Sequence, residues 1–213
     1  MGDSGQLEFY ETLLERSSIR RFKRTPVPDD AIHRILNAGM HSPSAEHRQH
    51  WEFIWIKDGN LRMKLAELKY QSRKKMAKVL YPELTDERIE QIADGQRASV
   101  KSAPVLIAVC YRDLDNPIEV GTGKISLSYG AAWQCIENMW LAATAEGLGF
   151  SPTFYGDDVY GEVKKLLGLP QGIEFAAVLR IGKKAQREKR KPIARLEDKL
   201  HYDKFGHKSN TAE

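Results

Sequence analysis

The stretch SLSYGAAWQCIENMWLAATAEGL, residues 126–148, reads as one long helix that is apolar nearly all round and closes at Gly147 and Gly149. A helix with no polar face is buried either in a large core or against a partner chain. Upstream, Pro104–Tyr111 is a continuous apolar run, the pattern of a strand covered on both faces and therefore central in a sheet. Downstream lie a short helix at Gly161–Leu167 and a further strand at Phe175–Ile181. Working back towards the N-terminus, Trp51–Lys57 is aromatic and β-branched and reads as a strand. Residues 59–102 between them are helical and charged, with a turn near Tyr81-Pro82 and a helix start at Thr85-Asp86. Pro26 and Pro28 precede a helix at Ala31–Gly39, which Asp29 or Asp30 can cap and which carries Ile32, Ile35 and Leu36 on one face. Before it, Leu7, Tyr10, Leu13 and Leu14 mark an amphipathic helix over Leu7–Arg16. No repeat or Ser/Gly linker divides the chain, and neither G-x-G-x-x-G nor G-x-x-x-x-G-K-[ST] occurs. The expectation is one α+β domain over 1–213 with a mixed central sheet flanked by helices.

Composition narrows the function classes. Of 213 residues, 41% are hydrophobic and 29% charged, with a formal net charge of +4. Mean hydropathy is −0.51, and no apolar run approaches the roughly 20 residues of a bilayer span. A membrane protein and a disordered chain are both disfavoured. Two cysteines, Cys110 and Cys135, cannot make a disulfide framework or a four-cysteine zinc site, and their apolar surroundings suit small buried hydrophobes. The N-terminus has no basic region followed by an apolar one, and Gln6 stands where N-myristoylation wants Ser or Thr, so a cytoplasmic location is expected.

Two segments carry chemistry. Arg16, Ser18 and Arg20 alternate, and an extended chain points alternate residues to one side. Two guanidiniums and a hydroxyl so arranged match a phosphate monoester; the same residues also fit a solvated basic helix end. The loop Ser42-Pro43-Ser44-Ala45-Glu46-His47-Arg48-Gln49-His50 combines small, amide and imidazole side chains that suit a flat polar ligand, or a plain surface turn. His41, His47 and His50 lack an accompanying carboxylate or cysteine set, and no metal site is expected.

Together, Arg16-Ser17-Ser18-Ile19-Arg20-Arg21-Phe22, the Ser42–Trp51 loop, Ala103-Pro104-Val105-Leu106-Ile107, the Asn138–Gly149 stretch and Ile181-Gly182 followed by Arg190-Lys191-Pro192-Ile193 resemble the flavin-binding signatures of the nitroreductase family, in order, from about Glu8 to Gly206. The resemblance implies a nitroreductase-like fold and an intertwined homodimer with FMN at the subunit interface. It also implies that NADH or NADPH serves as transient reductant, with the chemistry on FMN and no catalytic side chain. By the same resemblance Arg16, Ser18 and Arg20 hold the phosphate, with Ser17 also at the cofactor, joined by a late basic residue, Arg190 or, at a shorter spacing, Arg195. Pro43, Ser44, Ala45, His47 and Gln49 line the ribityl chain and ring, and Pro152, Thr153, Phe154 and Tyr155 pass the ring and offer a backbone N–H towards N5. His47 and His50 stand where the family usually has Asn and Pro. Histidine adds a group that titrates near neutrality, so the pH dependence of binding is expected to differ.

Residues 60–102 match a region that forms a lid in relatives, including flavin dehalogenases. Tyr70, Lys74, Tyr81 and Arg97 are its candidate substrate contacts, although a solvated helical pair fits the same charges. Residues 183–213 form a C-terminal extension. The implied reaction is ping-pong reduction of a small organic acceptor, such as a nitro compound or quinone; reductive dehalogenation is the alternative. A reading of another class makes Lys183–Lys191 a nucleic-acid or acidic-surface module, but no aromatic residues interleave those charges, and neither nucleic acid nor membrane is the expected partner.

Overall fold

The computed structural model describes residues 8–112, 118–120, 123–186 and 192–208. Its elements run α1 (Phe9–Glu15), α2 (Asp29–Met40), β1 (Trp51–Trp55), α3 (Gly59–Leu80), α4 (Asp86–Ser102), β2 (Val105–Arg112), β3 (Ile118–Val120), β4 (Gly123–Ile125), α5 (Leu127–Ala145), β5 (Leu148–Thr153), α6 (Asp157–Leu166) and β6 (Ile173–Lys183).

β2 organises the fold because it is buried from Val105 through Tyr111. Its alternate residues serve two cores. Val105, Ile107, Val109 and Tyr111 join α2 and α5 on one face, while Leu106, Ala108 and Cys110 join α3, α4 and α6 on the other. A strand with helices on both sides has no face for water, hence its unbroken apolar run. The sheet order is β1-β2-β6-β5, and every pairing within it is antiparallel. The expected mixture of directions is confined to a parallel bridge between Ser18 and Phe150 beside the β5 edge. β3 and β4 form a separate antiparallel pair that the sequence reading did not anticipate.

α5 is the nearly all-apolar helix, with Ala132, Cys135, Ile136, Met139 and Ala143 almost fully enclosed. It meets α2 at Gly39, where an added Cβ would stand 2.8 Å from Met139 Cγ and 2.9 Å from Cys135 Sγ. Leu148, expected to close this helix, instead opens β5 after a left-handed Gly147. That strand escapes a periodicity reading because Gly149 and Pro152 interrupt it. Both are tolerated there because β5 is an edge strand.

Side-chain caps start three helices: Asp58 accepts from the Leu61 N–H at 2.6 Å, Thr85 from Arg88 at 3.3 Å and Ser126 from Tyr129 at 3.1 Å. α2 differs from the expectation. Pro28 occupies its cap position without a side-chain bond, and Asp29 and Asp30 lie in the first turn, where carboxylates face the positive end of the dipole. Asp30 is further engaged by Arg34, which also makes a bidentate pair with Glu146 at the end of α5. α1 forms, but the apolar face expected of it is not buried: Phe9, Tyr10, Leu13 and Leu14 are exposed and Thr12 is its buried residue, while Leu7 lies outside the described residues.

Candidate functional site

The chain from Arg16 to Lys23 runs extended along the sheet edge. Ile19 N donates to the Phe150 carbonyl at 3.0 Å and Lys23 N to that of Lys183 at 2.8 Å. Ile19 points inward and is 2% exposed. Gly149 makes room for it, since a Cβ there would sit 2.7 Å from Ile19 Cγ2. Alternation then turns Ser18 and Arg20 to the other side, where both line a cavity of about 880 Å³. Arg16 lies beside this cavity: its guanidinium stands 4.5 Å from the centre of the Trp140 ring, and Nε is 3.3 Å from Glu137. Ser17 contributes its carbonyl to the Trp140 indole N–H at 3.3 Å.

The other walls come from five elements, α4 among them through Gln96. β5 and its exit supply Pro152, Thr153 and Phe154, with Phe154 stacked on Trp133 of α5 at 5.1 Å. Trp133 and Trp140 are seven residues apart and so share a helix face. α3 contributes Lys69, Arg73 and Met76 at i, i+4 and i+7, followed by Tyr81. Arg180 reaches in from β6. No aspartate or glutamate is among the lining residues, while four cations are.

Burial governs the electrostatics. Arg180 is 1% exposed. It donates from Nη1 to Ser99 Oγ at 2.7 Å, and from Nη2 to Ser151 Oγ at 2.7 Å and the Pro152 carbonyl at 3.4 Å, all neutral partners. Burial, with Arg20 nearby, lowers its pKa to about 10. Lys69 donates to the Phe154 carbonyl at 2.7 Å, and burial, with Arg180 and Arg73 adding repulsion, lowers it to about 8. Among the described residues, two buried side-chain polar atoms lack a hydrogen-bond partner, Thr153 Oγ1 and Arg180 Nε. Both belong to residues of this one cavity. Buried polar groups are nearly always satisfied, so their coincidence here makes this cavity the candidate place for a polar guest, and its four cations favour an anionic one.

Several sequence-predicted residues stand elsewhere. Tyr155 turns away into the α3–α6 core, donating its hydroxyl to the Leu65 carbonyl at 3.1 Å. Pro43, Ser44, Ala45, His47 and Gln49 do not line the cavity. Their loop packs at the start of α5, where Ser44, Ala45, Arg48 and His50 meet Leu127, Ser128 and Ala131. At 3.6 residues per turn these positions lie on the opposite flank of α5 from Trp133 and Trp140. The loop is tightly wound: Glu46, His47 and Gln49 have φ of +53°, +54° and +52°, a region that non-glycine residues seldom occupy. Ser44 Oγ accepts from the Gln49 N–H at 2.9 Å, His47 and Gln49 side chains meet at 2.8 Å, and Asn138 of α5 donates to Ser42 Oγ at 2.9 Å.

On the proposed lid, Tyr81 alone of the four candidates lines the cavity. Tyr70 and Lys74 are engaged by Glu90 of α4, and Arg97 stacks 4.4 Å over the Tyr70 ring and pairs with Glu67 and Asp94. These three tie α3 to α4. Arg190 lies outside the described residues. Arg195 is exposed and 3.4 Å from Glu197, away from the cavity lining.

Sequence reasoning missed Lys69, Arg73, Trp133, Trp140 and Arg180. Arg180 carried the plainest signal, a lone charge inside the apolar strand FAAVLRI, residues 175–181. Cys110 and Cys135 are free and buried, with burial pushing both thiols up to about 12, so neither offers a thiolate. Among the described residues no group of three or more His, Cys, Asp or Glu is arranged to hold a metal, and no helix is long and apolar enough to cross a membrane.

Comparisons with known proteins agree with this architecture. The family model described as the nitroreductase family matches residues 13–183. The NADH dehydrogenase of Thermus thermophilus is 28% identical over 185 residues, 81% of this chain and 85% of its own. Two solved structures show the same fold. One is an oxidised iodotyrosine deiodinase bound to FMN and 3-iodo-L-tyrosine, with TM-score 0.71 and 22% identity over 88% of this chain and 96% of that one. The other is the NADPH:FMN oxidoreductase of Vibrio harveyi complexed with NAD+, with TM-score 0.73 and 21% identity over 93% of this chain and 78% of that one.

Proposed function

The chain belongs to the nitroreductase family, and from that premise we propose that it is an FMN-dependent oxidoreductase that uses NADH or NADPH to reduce a small organic acceptor. The carrying observation is the coincidence of Ser18, Arg20, Thr153 and Phe154 in one cavity that also holds both orphaned buried polar atoms. The residues fit FMN chemically. Aromatic walls suit a flat ring, the cations suit a phosphate and a ring that gains negative charge, and Thr153 Oγ1 is free to hydrogen-bond. Bound FMN would supply the two-electron chemistry. The protein's part is to bind, orient and stabilise charge. In this reading Arg16, Ser18 and Arg20 hold the phosphate, with Arg190 or Arg195 as the late basic residue.

The loop whose Pro43, Ser44, Ala45, His47 and Gln49 are our proposed ribityl contacts packs, through Ser44 and Ala45, on the far flank of α5. We therefore take the complete site to combine the cavity of one protomer with this loop of a second. The exposed apolar residues of α1, Phe9, Tyr10 and Leu14, and of the C-terminal segment, Ile193, Leu196 and Phe205, supply surface for such a homodimer. Purified protein is expected to be yellow, to hold one FMN per chain, and to bleach with reduced nicotinamide. A colourless protein that takes up no added FMN would sink the proposal.

Reductive dehalogenation is the second reading. Lys69, Arg73 and Tyr81 project from the α3–α4 region into the cavity and could meet a carboxylate-bearing aromatic, and the fold matches a deiodinase bound to 3-iodo-L-tyrosine. Reduced protein offered halotyrosines, nitroaromatics and quinones separately distinguishes the two. Turnover of quinones alone removes the dehalogenase version.

A further inference from the structure

Arg180 is a fixed cation enclosed by protein with no ion of opposite sign at its side among the described residues. Its three hydrogen bonds go to Ser99 Oγ, Ser151 Oγ and the Pro152 carbonyl, and Nε has no partner. Among the described residues no ion pair reaches it. Ser99 donates its own proton to the Arg20 carbonyl at 2.5 Å and so must accept from Arg180, which fixes the guanidinium plane from the α4 side. Ser151 and Pro152 fix it from β5, beside Thr153 and Phe154. A buried, unpaired charge destabilises the protein that carries it. Strand β6 is otherwise filled by Ala176, Ala177, Val178, Leu179 and Ile181, so an apolar residue at 180 would suit the fold better.

Resting on the flavin reading above, we propose that Arg180 is a positioning residue whose charge holds the reduced form of the cofactor in preference to the oxidised form. Bound FMN would accept two electrons and a proton as hydride from reduced nicotinamide, whose C–H bond supplies them and which leaves as the cation, so the ring would end with one more negative charge than it began with. That new negative charge is what Arg180 lacks, and a cation held in place by three hydrogen bonds and itself 1% exposed favours it. The phosphate does not fill this role, because its charge is the same in both redox states. Arg16, Ser18 and Arg20, on the chain segment beside β5, are the residues that take it.

The test is the midpoint potential of the FMN-loaded protein, measured with oxidised-FMN and riboflavin affinities. Arg180→Met is expected to weaken binding of reduced relative to oxidised cofactor by about tenfold or more, a fall of ~30 mV per tenfold for a two-electron couple. Arg180→Lys keeps the charge and is expected to stay near the wild-type potential. The ligand-free Arg180→Met protein should melt at a higher temperature than wild type. Arg180→Gln, which loses the charge and retains a donor for Ser151, gives a second neutral variant should methionine disturb packing. An unchanged potential in a folded neutral variant overturns the proposal. So does a loss of FMN affinity without loss of riboflavin affinity, which would mean Arg180 serves the phosphate. If the wild type itself takes up no FMN, the flavin reading falls first and this inference with it.

Discussion

Lys69 enters the cavity from α3 with its ammonium 2.7 Å from the Phe154 carbonyl, and burial lowers it to about 8. The unfolded chain keeps that proton to about 10.4. Between about pH 8 and 10.4 the unfolded state therefore binds more protons, and this group makes the ligand-free protein more stable as pH rises. An anionic ligand has the opposite preference, because it needs Lys69 charged. FMN affinity should fall as pH rises through about 8, by up to roughly tenfold at pH 9, while Lys69→Met should flatten that limb. Arg180, lowered only to about 10, is still mostly charged at pH 9, and Asp158 acts on Lys69 in the sense that favours its charge. Fluorescence titrations of FMN at pH 7 and pH 9 decide the matter, and equal slopes for the two proteins would remove Lys69 from the site. Gly149 allows an equally local prediction. Its Cβ would meet Ile19, which anchors the Arg16–Arg20 segment against β5. Gly149→Ala should cost about 1–3 kcal/mol in denaturant titrations and weaken FMN binding through misplacement of Ser18 and Arg20.

At the scale of elements, α3 and α4 divide their charges between two jobs. Tyr70, Lys74, Arg97 and Glu90 lock the two helices together, while Lys69, Arg73 and Met76 of α3 face the cavity. Lys74→Ala is expected to lower the melting temperature with FMN affinity and acceptor KM unchanged. Arg73→Ala is expected to raise KM severalfold for carboxylate-bearing acceptors and to leave uncharged quinones alone. Steady-state kinetics with the two acceptor types would reverse this assignment if Lys74→Ala proved the KM variant. The charged pair of helices was readable from composition and capping residues, but which charges face inward was not. Tyr70 and Lys74 are as polar in sequence as Lys69 and Arg73, and the helix phase against the sheet decides between them. The same limit explains β5. Its Gly149 and Pro152 read as breakers until the pairing with β6 and the bridge to Ser18 are known. By contrast β2, β6 and α5 could be read from runs of apolar residues, because each is enclosed on both sides. That Ser18 and Arg20 share one side of the chain was legible for a simpler reason, alternation in an extended segment, whereas Arg16, at the end of α1, stands beside the cavity and not in its lining.

For the whole molecule, the cavity and the Pro43–Gln49 loop raise a question of geometry. α5 separates them within one protomer, and both are expected to touch the same cofactor. A two-fold dimer resolves this, because each protomer would give its cavity to one site and its loop to the other. The arrangement predicts complementation. A protomer damaged in the cavity by Arg20→Glu should bind no FMN as a homodimer, and one damaged in the loop by Ser44→Ala with Gln49→Ala should bind it weakly. Mixed into heterodimers carrying two different affinity tags, they should regain one intact site, because the undamaged cavity of one meets the undamaged loop of the other. The opposite site would carry both lesions. The measured FMN content of the doubly purified heterodimer should thus be one tightly bound cofactor per two chains, against two for wild type. If cavity and loop of the same protomer made the site, every site in the heterodimer would carry one lesion and no tight binding would return. Recovery or its absence separates the two geometries, whatever acceptor the protein reduces.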